Sequence, residues 1–260
     1  MFLERARIVR GVIDLHAHIL PGLDDGARSI EESRELARRA ARDGIDAIAA
    51  TPHVRADYPT SAERMERGVA ELRRDFADQG IPLSVLHGGE IDLEHLEGLT
   101  DEELARFTIA QTGRYLLIEF PYRGWPLSLE QTVFRLRLRG FQVLLAHPER
   151  NAEVQERPDR LQAAVGAGAL VQITAASIDG RLGRSPRTTA KRLLELRLAH
   201  VLASDVHTLE IREAGLAGAA QALADEAIVH YLTKDVPTAI VAGQDAPLPP
   251  AFKRKRFSFS

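Results

Sequence analysis

Short apolar runs rich in β-branched residues recur along the chain at residues 11–15, 45–50, 82–86, 115–120, 141–146, 169–173 and 200–203. Each is nearly continuous in apolar side chains, the pattern of a strand covered on both faces; a strand with one wet face alternates instead. The stretches between them carry helical periodicity and recognisable starts. Ser29-Ile30-Glu31-Glu32, Thr60-Ser61-Ala62-Glu63, Thr100-Asp101-Glu102-Glu103 and Ser128-Leu129-Glu130-Gln131 read as capping boxes, and Ser185-Pro186 reads as an N-cap followed by proline in the first turn. Strand and helix therefore alternate through seven units, which predicts an α/β fold with a parallel sheet. Polar residues cluster at so many strand ends that a closed barrel fits better than an open sheet. No linker or repeat divides the chain, so one barrel domain is expected over residues 11–235, followed by a C-terminal extension over 236–260.

Composition narrows the function more than the fold. The chain has 260 residues, 45% of them hydrophobic, enough for one sizeable core. A formal net charge of -3 excludes a global basic field for nucleic acid or an anionic membrane. The exception is Lys253-Arg254-Lys255-Arg256, which reads as a solvated terminus. Cysteine is absent, so disulfides, zinc-thiolate sites and phosphatase chemistry built on a thiolate are excluded, and a reducing compartment suits the chain. Residues 1–10 mix Glu4 with Arg5, Arg7 and Arg10 and read as neither a leader nor a transmembrane segment. A soluble cytoplasmic protein is expected.

Parallel α/β folds gather their chemistry where strands end, and here the residues at those places are of a narrow kind. In Ile13-Asp14-Leu15-His16-Ala17-His18 alternate side chains share a face, so His16 and His18 can converge on one ion, and Asp24 and Asp25 follow in the next loop. The second strand leads to His53 in Thr51-Pro52-His53 and the third to Glu90 in Gly88-Gly89-Glu90. The fourth ends in Ile118-Glu119-Phe120-Pro121, the fifth in Ala146-His147-Pro148-Glu149-Arg150 and the last in Ser204-Asp205-Val206-His207. The sixth, ending near Thr174, offers no obvious ligand. Taken singly, His53 reads as a turn histidine, Glu119 as a buried carboxylate paired with an arginine and Asp205 as a helix cap. Taken together, so many donors at one end of one sheet would carry unpaired buried charge, at a cost of several kcal/mol or more, unless cations neutralised them. A polynuclear metal centre is the economical account.

Imidazole and carboxylate without thiolate suit Mn, Zn or Fe, and suit Mg less well beside so much histidine. Clustered ions of this kind bring the pKa of water toward neutrality and bind the oxygens of an in-line displacement, which points to phosphoester hydrolysis. Arg150, three residues beyond His147, can bridge two phosphate oxygens; a salt bridge to Glu149 or Glu153 is the alternative of equal weight.

The HxH of His16 and His18, Leu20-Pro21-Gly22-Leu23-Asp24-Asp25-Gly26, Thr51-Pro52-His53, Gly89-Glu90, Ile118-Glu119-Phe120-Pro121, Ala146-His147-Pro148-Glu149-Arg150 and Ser204-Asp205-Val206-His207 together resemble the PHP (polymerase and histidinol phosphatase) superfamily. Within it they are most similar to the bacterial metal-dependent protein tyrosine phosphatases of capsule and exopolysaccharide loci. The resemblance implies a distorted seven-stranded barrel with a trinuclear centre. One ion takes His16, His18, Glu90 and Asp205; Glu90 bridges to a second held by Glu119 and His147; a third takes Asp25, His53 and His207. It favours Asp25 over Asp24 as the ligand, gives Arg150 the task of gripping phosphate, and makes Arg150, Asp25 and His53 the residues on which catalysis depends. No ligand of the pattern is missing. The implied cofactors are three divalent ions, manganese first and zinc or iron as alternatives. The implied substrate is phosphotyrosine on the tail of a cognate bacterial tyrosine kinase that controls polysaccharide export.

Residue chemistry alone reaches only metal-assisted phosphomonoester hydrolysis, and two other readings use the same centre. A small-molecule phosphatase of the histidinol phosphate type would need a narrower pocket with a charge for the substrate amine. A metal-stabilised regulatory module would sequester a kinase tail, against which the full and clustered ligand set speaks. Neither nucleic acid nor membrane insertion is expected, and an oligomer is compatible with the sequence. Arg55, Tyr122 and Arg123 read as ordinary loop residues, and His87, His95, His200 and His230 as packing or surface residues.

Overall fold

The computed structural model describes residues 11–209 and 215–250. The absence of a leader read in residues 1–10, and the basic run Lys253-Arg254-Lys255-Arg256, lie outside the described residues. The strands are β1 (Val12–Ala17), β2 (Ile45–Ala50), β3 (His53–Val54), β4 (Ser84–His87), β5 (Glu90–Asp92), β6 (Tyr115–Glu119), β7 (Gln142–Leu145), β8 (Leu170–Thr174) and β9 (Val201–Ala203). Every predicted strand has its counterpart. β3 and β5 have none among the predictions, because two and three residues are too few to carry a hydrophobic period. Side chains of β1, β2, β6 and β8 are buried almost throughout, as parallel strands covered on both faces must be.

All pairings between these strands are parallel. One sheet has the order β1-β2-β4 and the other β3-β5-β6-β7-β8-β9. β3 follows β2 after Thr51-Pro52, and β5 follows β4 after Gly88-Gly89, so the two sheets share these breaks. They meet again on the other side, where Ala17 and Val206 form a parallel bridge. There His18 N–H donates to Val206 O at 2.8 Å and Asp205 N–H to His16 O at 2.9 Å. The result is a single α/β domain built on parallel sheets.

Helices α1 (Ile30–Arg42), α2 (Ala62–Asp78), α3 (Asp101–Phe107), α4 (Leu129–Leu138), α5 (Ala152–Glu156), α6 (Leu161–Gly166), α7 (Ala175–Ile178) and α8 (Arg184–Glu195) connect the strands. Met65, Val69, Leu72 and Phe76 form the buried stripe of α2 at steps of four, three and four residues. Ser29 caps α1, Ser61 caps α2, and Thr100 with Glu103 closes a complete capping box on α3. Three starts differ from the prediction, the first being α2, where the cap is Ser61, one residue later than the Thr60 of the predicted box. Ser128 caps nothing with its side chain, since its φ of -95° and ψ of 8° are not the extended backbone a cap requires. Ser185 lies inside α8, which starts earlier behind Gly183, and its hydroxyl donates to Gln155 Oε1 at 2.7 Å. Helices α9 (Ala217–Leu223), α10 (Glu226–His230) and α11 (Val236–Val241) follow, the last two joined by a π turn into one run that buries Leu232, Val236 and Ile240. Among the described residues no helix is long and apolar enough to cross a membrane.

Candidate metal centre

The nine residues expected to bind metal come together at the C-terminal ends of the strands. β1 carries His16 and leads directly to His18. His53 and Glu90 open β3 and β5 and are register partners, so their side chains leave adjacent strands side by side. Glu119 closes β6. His147 and Asp205 each stand two residues beyond a strand, in left-handed backbone with φ of 33° and 51°. For a residue other than glycine such backbone costs about 1–2 kcal/mol and persists only where its surroundings enforce it. The enforcing contacts come from buried polar side chains. Asp14 Oδ1 accepts from Ser204 N–H at 3.0 Å and His16 N–H at 3.3 Å, and Gln172 Oε1 accepts from His147 N–H at 3.3 Å. Glycine supplies the remaining room: a Cβ on Gly26 would stand 2.1 Å from His18 O, and one on Gly89 2.6 Å from Phe107 Cδ1.

Four overlapping groups of donor atoms have every member within 4.8 Å of the others: His18, Asp25, His53 and His207; His16, His147 and Asp205; His16, His18 and Glu90; and His53, Glu90 and Glu119. Eight of the nine residues are buried, whereas the Asp25 side chain is 44% exposed and marks the mouth. Asp25 Oδ1 lies 3.5 Å from both His53 Nε2 and His207 Nε2. Glu119 lies on the other flank, 3.8 Å from His53 Nδ1 and 3.7 Å from His147 Nε2.

Apart from the hydrogen bond between His147 Nε2 and Glu90 Oε1 at 3.0 Å, several of these atoms do not satisfy one another as ordinary hydrogen bonds. Glu90 Oε2 is 2.9 Å from His53 Nδ1, 3.2 Å from His18 Nε2 and 3.3 Å from His16 Nε2. Neither that oxygen nor His53 Nδ1 has a partner in hydrogen-bonding alignment. His16 and His18 face each other through Nε2 at 3.1 Å. His16 Nδ1 donates to Gln172 Oε1 at 3.0 Å, and His18 Nδ1 to Asp24 Oδ2 at 2.7 Å. With both Nδ1 atoms donating outward, a neutral pair would aim two lone pairs at one another. Positive charge between them, a proton or a metal ion, resolves the arrangement, and the donor set fits a divalent cation.

Burial opposes charge throughout the cluster. It raises Glu119 to about 7, with help from the Glu90 charge, and lowers His147 to about 4, with help from Arg150. For Glu90 the attraction of His16 and the hydrogen bond from His147 outweigh burial and hold it well below the usual carboxylate range. His16 and His18 are raised, because the attraction of Glu90, Asp205 and Asp24 overcomes their burial. The protein thus concentrates positive charge around Glu90. A divalent ion shared by Glu90 and Glu119 would remove the repulsion that raises Glu119.

Arg150 lies beside this cluster. Its Nη2 is 2.5 Å from Asp205 Oδ2 and donates to Thr174 Oγ1 at 2.8 Å. Neither alternative salt bridge, to Glu149 or Glu153, forms: Glu149 accepts instead from Thr174 N–H and the Ser177 hydroxyl, and Glu153 from Gly124 N–H. Several residues take roles at the centre that the sequence did not assign to them. Gln172 sits on β8, the strand that offered no ligand, and its amide is oriented by His147 N–H and Thr174 Oγ1. Asp24 holds both the His18 ring and, at 2.9 Å, His53 N–H. Arg55 and Tyr122, read as ordinary loop residues, border the centre. Arg55 Nη1 is 3.3 Å from Glu119 Oε2 and lies over the Tyr58 ring, which stacks on His53, while Tyr122 stacks on His147 with ring centroids 5.9 Å apart. The signal for these residues was only their nearness in sequence to His53 and Glu119. His87 stays outside, with Arg73 Nη2 3.4 Å from its Nδ1.

A sequence profile of the CpsB/CapC family, described as capsular polysaccharide synthesis, matches residues 12–241. Tyrosine-protein phosphatase YwqE of Bacillus subtilis is 38% identical over 204 residues, covering 77% of this chain and 79% of that protein. The putative tyrosine-protein phosphatase CapC of Staphylococcus aureus is 34% identical over 204 residues, with the same coverage of 77% and 79%. Among solved structures, one from a study of YwqE from Bacillus subtilis and CpsB from Streptococcus pneumoniae, named there as unique metal-dependent tyrosine phosphatases, superposes with a TM-score of 0.82. It is 34% identical, and the match covers 93% of this chain and 100% of that one. The phosphotriesterase homology protein of Escherichia coli, solved with phosphate in its active site, shares the fold at a TM-score of 0.60 and 12% identity, covering 89% of this chain and 99% of that one. By its profile, its relatives and its fold, the chain belongs to the CpsB/CapC family.

Proposed function

We propose that this chain is a metal-dependent protein tyrosine phosphatase, a phosphoric monoester hydrolase. The observation that carries the reading is the set of overlapping His, Asp and Glu groups with Arg150 ion-paired beside it. In the ligand scheme we favour, His16, His18, Glu90 and Asp205 hold one ion, Glu90, Glu119 and His147 a second, and Asp25, His53 and His207 a third, manganese first among the candidates. Facing donor atoms that unite His16, His18 and Glu90, and Asp25, His53 and His207, support two of these assignments, and Glu90 belongs to two groups; His147 falls with His16 and Asp205, while its Nε2 also lies 3.0 Å from Glu90 Oε1 and 3.7 Å from Glu119 Oε1. When bound, such ions supply electrophilic contacts to phosphate oxygens and water of near-neutral pKa. The chain's own residues do the rest. Asp24 and Gln172 fix the histidine tautomers, Arg150 is poised to exchange Asp205 for phosphate oxygens, and Tyr58 and Tyr122 offer aromatic faces beside the donors.

We further read β2 with β3, and β4 with β5, as two interrupted strands. That count gives seven strands, with the Ala17–Val206 bridge as the closure of a distorted PHP-type barrel. The family's tie to capsular polysaccharide synthesis supports, as substrate, the phosphotyrosine tail of a bacterial tyrosine kinase of polysaccharide export, met in the cytoplasm.

The test is hydrolysis of a phosphotyrosine peptide, histidinol phosphate and a generic aryl phosphate by the purified chain, with manganese and then with chelator. Chelator-sensitive preference for the peptide is expected. Preference for histidinol phosphate would move the activity to small molecules, and metal-loaded protein inert toward all three would leave a binding module.

A further inference from the structure

Arg150 is only partly satisfied within the chain. Its Nη2 meets Asp205 and Thr174, whereas its Nε is buried with no hydrogen-bond partner among the described residues. The side chain is 9% exposed, so little water reaches it. A buried donor without an acceptor is costly, and a guanidinium left with one points to an anion that completes it.

The segment that follows β6, residues 121–124, is fastened to the residues just after Arg150. Asn151, 2% exposed, donates through Nδ2 to Pro121 O at 2.7 Å and to Gly124 O at 3.0 Å, while its Oδ1 accepts from Val154 N–H and caps α5. Ala152 N–H donates to Tyr122 O at 2.9 Å, and Gly124 N–H to Glu153 Oε1 at 2.9 Å. These hydrogen bonds fix the backbone on both sides of Tyr122 relative to the turn that carries Arg150. The Tyr122 ring there lies parallel to the His147 imidazole, with 7° between the planes and 5.9 Å between centroids. Although 45% of the residue is exposed, burial of its hydroxyl pushes the phenol up to about 12, and the Arg150 charge pulls the other way. The ring therefore lines the mouth while its hydroxyl points inward, beside the guanidinium.

A guanidinium has donors and no acceptor, so in a hydrogen bond between these two groups Arg150 donates to the phenol oxygen. The hydroxyl proton is then left for another acceptor, and an anion that reaches Arg150 comes within range of it. We propose that the Tyr122 hydroxyl is a second donor, beside Arg150, to the phosphoryl oxygens of the substrate, with Asn151 as the residue that positions its loop. The assignment rests on the phosphatase reading and adds to it a neutral donor, aimed at oxygens whose charge must be stabilised as the ester bond breaks. The contact is with phosphate and not with the leaving group, so it serves different phosphomonoesters alike.

The experiment compares Tyr122→Phe and Tyr122→Ala with the wild-type chain, all loaded with manganese. Metal content and thermal midpoint come first, then calorimetric titration with inorganic phosphate, then hydrolysis of a phosphotyrosine peptide and of a small aryl phosphate. Tyr122→Phe keeps the ring on His147, so its metal content and midpoint should match wild type. Its phosphate affinity should fall about tenfold or more, and its kcat/KM by about 10–100-fold for both substrates, the range expected for one hydrogen bond to a charged group. Tyr122→Ala should lose little beyond that. The proposal is overturned if Tyr122→Phe binds phosphate as wild type does; a loss confined to Tyr122→Ala would mean that the ring only packs on His147. A loss large for the peptide and small for the aryl phosphate would also overturn it, and would assign Tyr122 to the polypeptide around the phosphate. A wild-type chain that binds phosphate but hydrolyses neither ester would end the phosphatase reading, while the phosphate titration of Tyr122→Phe would still decide on the donor. A wild-type chain that binds no phosphate would end both.

Discussion

Arg150 and Asp205 form an ion pair at 2.5 Å, and the other oxygen of the same carboxylate lies 3.2 Å from His16 Nε2. One aspartate thus links the buried Arg150 guanidinium to the histidines. Burial disfavours the Arg150 charge, but Asp205 and Glu149 outweigh it and keep the guanidinium protonated. Arg150→Ala should keep its metal and lose about 10²–10³-fold in kcat/KM, the scale set by removing a preorganised donor at developing charge. Arg150→Lys should recover part of this, since it restores charge without the planar fork. Metal analysis beside steady-state kinetics decides, and a variant within a few-fold of wild type would mean that phosphate is held elsewhere.

Gln172 acts on His16 through the nitrogen that faces away from the centre. Gln172→Leu should weaken metal binding by about 10–100-fold, as loss of a ligand's outer hydrogen bond does. Gln172→Glu, which still accepts from Nδ1–H, should bind far closer to wild type. Competition against a chromophoric chelator reads both, and equal affinities for the leucine and wild-type proteins would remove Gln172 from the account.

Gly89→Ala tests the close approach behind Glu90. Its Cβ would meet the Phe107 ring at 2.6 Å, so either the ring or β5 must shift. A loss of about 1–3 kcal/mol is expected from overpacking, read from urea midpoints, together with weaker metal binding as Glu90 moves.

His200 lies away from the donors and accepts from Val171 N–H through Nδ1 at 3.1 Å, which requires a neutral ring. Burial lowers it to about 4. The unfolded chain, titrating near 6.5, takes up a proton first as pH falls, so stability declines from about pH 6.5 down to about pH 4 and then levels for this group. Between pH 7 and pH 5 the contribution is about 2 kcal/mol. Urea denaturation at the two pH values should show a smaller acid loss in His200→Asn than in wild type, and parallel losses would refute the assignment.

How much of this could be read beforehand follows from what kind of signal each residue leaves. His16, His53, Glu119, His147 and Asp205 are legible only together, since each singly has an ordinary explanation, whereas so many titratable side chains at the ends of apolar runs do not. The two short strands that carry His53 and Glu90 leave no period, yet they set the two residues side by side. Gln172 and Asp14 were hidden for a different reason: each looks like a strand polar residue, and its task appears only when another strand brings a backbone N–H to it. Ser128 and Ser185 misled because a capping pattern describes side-chain chemistry, whereas the local backbone decides whether it is used.

The left-handed backbones of His147 and Asp205 bear on how quickly ions enter and leave. Gln172 holds the His147 turn and Asp14 the turn before Asp205, so the protein's own hydrogen bonds set these two donors. Little chain rearrangement at these two turns should then accompany metal binding. The rate of metal exchange should then be governed by passage through the mouth at Asp25, the half-exposed member of the nine.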